Sequence, residues 1–410
     1  MSWRLLPLLA ALALAGCASV PPSGTITPRL PPDLSPPETA TTRPIPEMPG
    51  VRGTALPPGT PTPTQPAEPA EREVRALLNR LLPSYVKDRS GWAGDLYGAF
   101  AGLGLPHAAP VYCAAIAVIE QESTFQSDPV VPGLPAIVWK ELEARGARYG
   151  IPKLVISAAM LKSGPDGRSY SQRIDSLKTE KQLNALFEDM IAELPFGKQL
   201  FADYNPVRTG GPMQVSIAFA EEHARERRYP YPLNGSIRNE VFTRRGGLYF
   251  GSAILLDYPA PYDEVVYRFA DFNAGRFSSR NAAFQAALGK LSSQALTLDG
   301  DLLRYRKGQP ADEPSSVELA LRPLAGKLRL SASEIRRDLL LEKTAAFGQS
   351  PLFTRTFALA EQAAGRPLSR QVMPQIDLKS PKITRKLTTE WFARRVEGRF
   401  RDCLKRAESA

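Results

Sequence analysis

The chain has 410 residues, with 52 Lys and Arg against 42 Asp and Glu, and a formal net charge of +10. A cationic balance of that size favours anionic partners: cell-wall polymers, lipid headgroups or nucleic acid. Its three Cys and two His show no ligand spacing, so no metal and no cofactor are expected.

The first residues have a basic start at Arg4 and an apolar run from Leu5 to Leu14, broken only by Pro7, before Ala15, Gly16 and Cys17. The run is too short to cross a bilayer permanently and ends at small residues, as a secretory signal does. Export argues against a nucleic-acid partner. No second long apolar run follows, so no later segment is expected to span a membrane. Residues 18–70 change character: from Pro21 to about Ala70 roughly one residue in three is Pro, with no apolar periodicity. Such a stretch cannot bury enough surface to offset its ordering entropy. As a tether it reaches roughly 40 Å, and further where its prolines impose polyproline II.

The rest reads as mainly α. Glu71 to Leu82 places Val74, Leu77, Leu78, Leu81 and Leu82 on one stripe, and Pro83 ends it. Trp92 to Leu103 forms a second helix closed by Gly104 and Pro106, and Ala109-Pro110 opens a third. Further helices are expected over 136–149, 154–161, 179–194, 215–227, 241–258, 262–273, 331–344 and 388–407. No two-residue hairpin signal stands out. Gly300, Gly308, Pro310 and Pro314 mark a composition shift, which divides the folded part into 71–298 and a basic helical extension, 299–410. The extension's basic residues, Arg336, Arg337, Lys379, Lys382, Arg385, Lys386, Arg394 and Arg395, suit a solvated face or a contact to anionic wall or lipid. Cys113 and Cys403 could pair in an oxidising compartment, but the sequence favours two buried free thiols. His107 and His223 read as structural.

The third helix carries the most chemical information. Val111, Ala115, Val118 and Ile119 share a face, and Glu122, three and four residues further on, falls on it too. A carboxyl at the end of an apolar stripe is partly desolvated, which raises its pKa toward the range a general acid needs. A Glu near a helix end is otherwise a cap or a surface residue.

Five segments extend this reading by resemblance. Leu14-Ala15-Gly16-Cys17 resembles the bacterial lipobox, which implies cleavage before Cys17 and acylation of that residue. Non-acidic Ala18 then implies the periplasmic face of the outer membrane. Glu122-Ser123-Thr124-Phe125, Gly211-Pro212-Met213-Gln214 and Ala270-Asp271-Phe272-Asn273-Ala274-Gly275 resemble, in order, three signatures of the lysozyme-like lytic transglycosylases. Gly247 to Leu256 resembles the helix leading into the third signature. The resemblance covers about Tyr112 to Gly289, and the whole layout resembles a bacterial lipoprotein family of unknown function.

It implies a lysozyme-like helical domain that cuts peptidoglycan. Glu122 would act as general acid and then base, and Ser123 would hydrogen-bond near it. Met213 and Gln214 would line the cleft, Asn273 would hold the N-acetyl or C6 region, and Phe125 would be core. The departures are an interval of roughly 90 residues between Glu122 and Gly211, filled by a helical insert at 130–205, and three substitutions. Pro212 stands for Leu and removes a backbone donor. Phe272 stands for Tyr and removes a hydroxyl near the acid. Asp271 stands for Ala and is the candidate second carboxyl if the enzyme hydrolyses instead. An inactive wall-binding module and a structural lipoprotein remain the alternatives.

Overall fold

Apolar spacing and capping residues together account for most of the architecture. The computed structural model describes residues 71–233, 235–292, 294–306, 308–378 and 386–408. The signal segment 1–17 with Cys17, and the tether 18–70, lie outside the described residues. The described part is mainly helical, with three antiparallel ribbons of two residues per strand, none of them marked by a hairpin signal.

Helix α1 (Glu71–Leu81) buries Val74, Leu78 and Leu81, and carries Glu71 and Glu73 in its first turn and Arg80 in its last, which suits its dipole. Helix α2 (Arg89–Leu103) is capped by the Asp88 carboxylate at its start and by Gly104, with left-handed backbone, at its end. Helix α3 (Ala109–Ser123) has Pro110 in its first turn. It is buried on every side from Tyr112 to Ile119, beyond the single stripe read from its spacing. A helix apolar all round is the spine of a core.

The insert folds as five helices, α4 (Leu134–Arg148), α5 (Lys153–Ala159), α6 (Tyr170–Asp175), α7 (Glu180–Ala192) and α8 (Gly197–Phe201). Leu134, Met160, Tyr170, Ile174, Leu177 and Leu186 give it a small core of its own. Capping boxes at Ser169/Gln172 and Thr179/Gln182 start α6 and α7.

The chain then re-enters the first core through β1 (Thr209–Gly210) and β2 (Val215–Ser216), which pair Thr209 with Ser216 and Gly210 with Val215. Helices α9 (Ile217–Glu226), α10 (Ile237–Val241), α11 (Arg244–Leu256), α12 (Val265–Ala274) and α13 (Ser278–Ser292) follow. A second core joins Ala283, Phe284, Ala287 and Leu288 of α13 to later residues. These lie around the ribbon β3 (Tyr305–Arg306) and β4 (Gln309–Pro310), and on α14 (Ser316–Leu321), α15 (Ala325–Leu328), α16 (Ala332–Leu339) and α17 (Pro351–Ala364). After the ribbon β5 (Asp377–Leu378) and β6 (Leu387–Thr388), helix α18 (Thr389–Glu408) returns to the first core with Phe392, Ala393, Val396 and Cys403.

Residues on either side of 299 share cores: α13, ahead of it, helps build the second core, and α18, beyond it, completes the first. The described residues from Glu71 onward belong to one compact unit. One expectation is corrected here. Cys113 and Cys403 are not free thiols: they form a disulfide, since α18 lies along α3 and brings their Cα atoms to 5.5 Å, within reach of a bridge. Among the described residues, no helix is long and apolar enough to cross a membrane.

Candidate functional site

Helix α3 ends in a tight bend. Thr124 and Phe125 both take left-handed backbone, at φ +49° and +60°, a region that costs a non-glycine residue about 1–2 kcal/mol. Phe125 offsets that strain: its ring is core, as expected, and meets Trp92 edge-on at 5.3 Å. Just before the bend, Glu122 is half-buried and lines a cleft of about 980 Å³.

The β1–β2 turn supplies the next part of that cleft. Gly211 has φ +72°, and a Cβ there would stand 2.1 Å from the Val241 carbonyl oxygen, so glycine is required. The turn presses onto α11: Pro212 rests on Gly247, and Met213 fills the space a side chain at Gly251 would need. The motifs matched by resemblance therefore interlock in space. Gln214 projects from the turn's end, and its Oε1 accepts a hydrogen bond from the Thr209 hydroxyl at 3.2 Å.

The end of α12 supplies a further side. Phe272 and Asn273 both line the cleft. The buried Thr389 hydroxyl, at the start of α18, donates to Asn273 Oδ1 at 2.8 Å. That bond orients the amide and leaves its NH₂ end for another partner. Asp271 faces the other way. It is fully buried and does not line the cleft; its carboxylate accepts from the Phe277 and Ser279 amides, each at 2.7 Å, and from the Tyr258 and Tyr262 hydroxyls. Burial pushes its pKa up. Asp271 is thus a brace between α12 and α13, and its placement does not suit it to be a second acid.

The cleft gathers Glu122, Gln214, Phe272 and Asn273 from three separate elements. Two residues expected beside them lie elsewhere. Ser123 is buried and its hydroxyl donates to the Ile119 carbonyl at 3.0 Å, one turn back on its own helix. Met213 is fully buried under the turn. In each case the immediate neighbour takes the cleft and the chain direction sends this side chain inward.

The sequence reading passed over most of the remaining wall. Phe219, Glu222, His223 and Glu226 line the cleft from α9; their three- and four-residue spacing is a legible face. His223 is buried against Phe219, with its Nε2 3.4 Å from the Tyr249 hydroxyl, and burial pulls its pKa below the ordinary value. Arg276 donates to the Ala253 and Ile254 carbonyls at the end of α11 and packs over Phe219 at 4.7 Å. From the second core come Gly300, Asp301 and residues 342–345. The buried Arg280 fixes this part, donating to the carbonyls of Glu342 and Thr344. The Glu342 carboxyl, its pKa pushed up by burial, accepts from the Leu302 amide and the Tyr305 hydroxyl. Among the described residues, no group of three or more His, Cys, Asp and Glu is arranged to hold a metal ion.

The fold and cleft define a mainly helical protein whose half-buried carboxyl opens into a large, walled groove of mixed polar and apolar lining. Residues 85–406 match the DUF1615 family, described as proteins of unknown function, and the chain belongs to that family. It is 49% identical over 343 residues to the protein of Escherichia coli (strain K12) named Uncharacterized protein YaiW, covering 83% of this chain and 93% of that one. No solved structure matches.

Proposed function

We propose that the protein is a lipid-anchored lytic transglycosylase of peptidoglycan, on a lysozyme-like helical domain. The observation that carries this reading is that Glu122, near the end of a helix buried from Tyr112 to Ile119, shares one cleft with Gln214 and Asn273, although 92 and 151 positions separate it from them. Glu122 donates its proton to the glycosidic oxygen as the bond from the muramyl anomeric carbon to that oxygen breaks. The substrate's own N-acetyl group supports the developing positive charge. The ionised Glu122 then takes the proton of the muramyl C6 hydroxyl, whose oxygen closes onto the anomeric carbon as a 1,6-anhydro ring. Gln214, held by Thr209, and Asn273, held by Thr389, orient the sugars. Phe272 provides an apolar floor in place of a hydroxyl.

Cys17 is the proposed acylation site, and residues 18–70 let the folded part work away from the outer membrane's periplasmic face. The Cys113–Cys403 disulfide supports an oxidising compartment. A second reading, a wall-binding module with little or no activity, draws on Pro212 and Phe272. Purified sacculi separate the two. The protein without its lipid should release anhydro-muropeptides, and Glu122→Gln should release none while unfolding at an unchanged temperature. Reducing-end products would indicate hydrolysis, and binding with no product from either form would leave the wall-binding reading.

A further inference from the structure

The molecule as a whole is cationic, at +10, yet the cleft is not. Its lining contains six acidic side chains, Glu122, Glu222, Glu226, Asp257, Asp301 and Glu342, against two basic ones, Arg276 and Lys343. Several of these are already committed. Asp257 pairs with Arg227 at 2.8 Å, Glu342 is buried against Tyr305 and Leu302, and Lys343 sits over the Tyr305 ring at 3.6 Å. Glu222 and Glu226 differ. They stand one turn apart on α9, both exposed and both facing the cleft, and among the described residues no ion pair engages either.

A concave wall on which acidic side chains outnumber basic ones, with Glu222 and Glu226 exposed, focuses a negative field into this part of the groove. That field opposes phosphate-bearing polymers, which the net charge alone would favour, and attracts ammonium groups. We propose that the cleft selects wall glycan carrying free amino groups, with Glu222 and Glu226 as the residues that read them. This rests on the glycan reading above and adds to it what the strand must carry beyond its sugar rings. The amine has two chemical sources, the side-chain amine of a diamino acid in a stem peptide or the 2-amino group of a de-N-acetylated sugar. The volume leaves room for either, since about 980 Å³ lies at the upper end for a small-molecule site.

The test uses the full chain without its lipid, as Glu122→Gln so that nothing is cut, and isothermal titration at low and at moderate salt. Four soluble glycans of equal length serve as probes: fully N-acetylated and peptide-free, partly de-N-acetylated, stem-bearing with the amine free, and stem-bearing with the amine acetylated. A free-amine probe should bind about three- to tenfold more tightly than its acetylated partner, the contribution of two exposed charge pairs. The difference should shrink with added salt and vanish in Glu222→Gln/Glu226→Gln. Which free-amine probe gains identifies the source. Equal affinity for free and acetylated forms, or a difference that survives the double substitution, overturns the proposal. Failure of all four glycans to bind overturns the glycan reading beneath it.

Discussion

Replacing both bridged cysteines, Cys113→Ala with Cys403→Ala, tests how the fold holds Glu122's helix. The bridge closes a loop of 290 residues. The chain-entropy relation, −2.1 − 1.5R ln n, then gives about 19 cal/mol/K, or roughly 5.7 kcal/mol at 25 °C. Measured values usually fall short of that relation, so a loss of about 3–5 kcal/mol is expected. The measurement is equilibrium urea unfolding followed by far-UV circular dichroism. The midpoint should fall, and the slope should rise as the unfolded chain exposes more surface once released. Native protein lacking residues 1–17, and with them Cys17, should show no reactive thiol until it is unfolded and reduced. An unchanged midpoint and slope in the double variant, or thiol reactivity in the native protein, would refute the argument.

Asp271→Asn replaces a four-fold acceptor with a group that presents an NH₂ to donors. It should destabilise by about 2–4 kcal/mol in the same assay, and a stability loss under about 0.5 kcal/mol would show that the brace is unimportant. Ser123→Ala should leave the proposed sacculus cleavage within about twofold and stability within about 1 kcal/mol, because its hydroxyl bonds back to its own helix; a tenfold loss of cleavage without unfolding would return Ser123 to the site. For His223 the folded pKa lies below its ordinary 6.5. The unfolded chain therefore binds the proton first, and stability declines as pH falls below about 6.5 toward the folded value. Melting temperatures from pH 7.5 to 5 should drop less steeply for His223→Phe than for the native protein, and parallel curves would sink the assignment.

Much of the site was readable because its residues sit in short local patterns. Gly211 and Gln214 are fixed by the turn itself, and Glu122 by its distance from Val118 and Ile119. Adjacent positions were harder: a resemblance assigns a role to Ser123 as readily as to Glu122, but one residue along a helix turns the side chain by about 100°. The far wall was not readable at all, since Asp301 and Lys343 reach the cleft only through second-core packing braced by Arg280. Helix α13 went unassigned for a related reason. Its Arg280, Asn281 and Gln285 are buried together with its apolar residues, so no amphipathic period marks it. Helix α17 starts with Ser350 and Pro351, which read equally well as a loop. The disulfide was misread because no local pattern reveals that the last helix returns to the third.

The return of α18 has a consequence for timing. Thr389 orients Asn273, and Cys403 clamps the helix that carries Glu122 in its last turn, so α18 completes a groove whose other parts all precede it in the chain. A chain that stops short of α18 has Glu122 but neither the hydroxyl that orients Asn273 nor the cysteine that bridges α3. The groove therefore takes its full geometry only once α18 has been made and has docked.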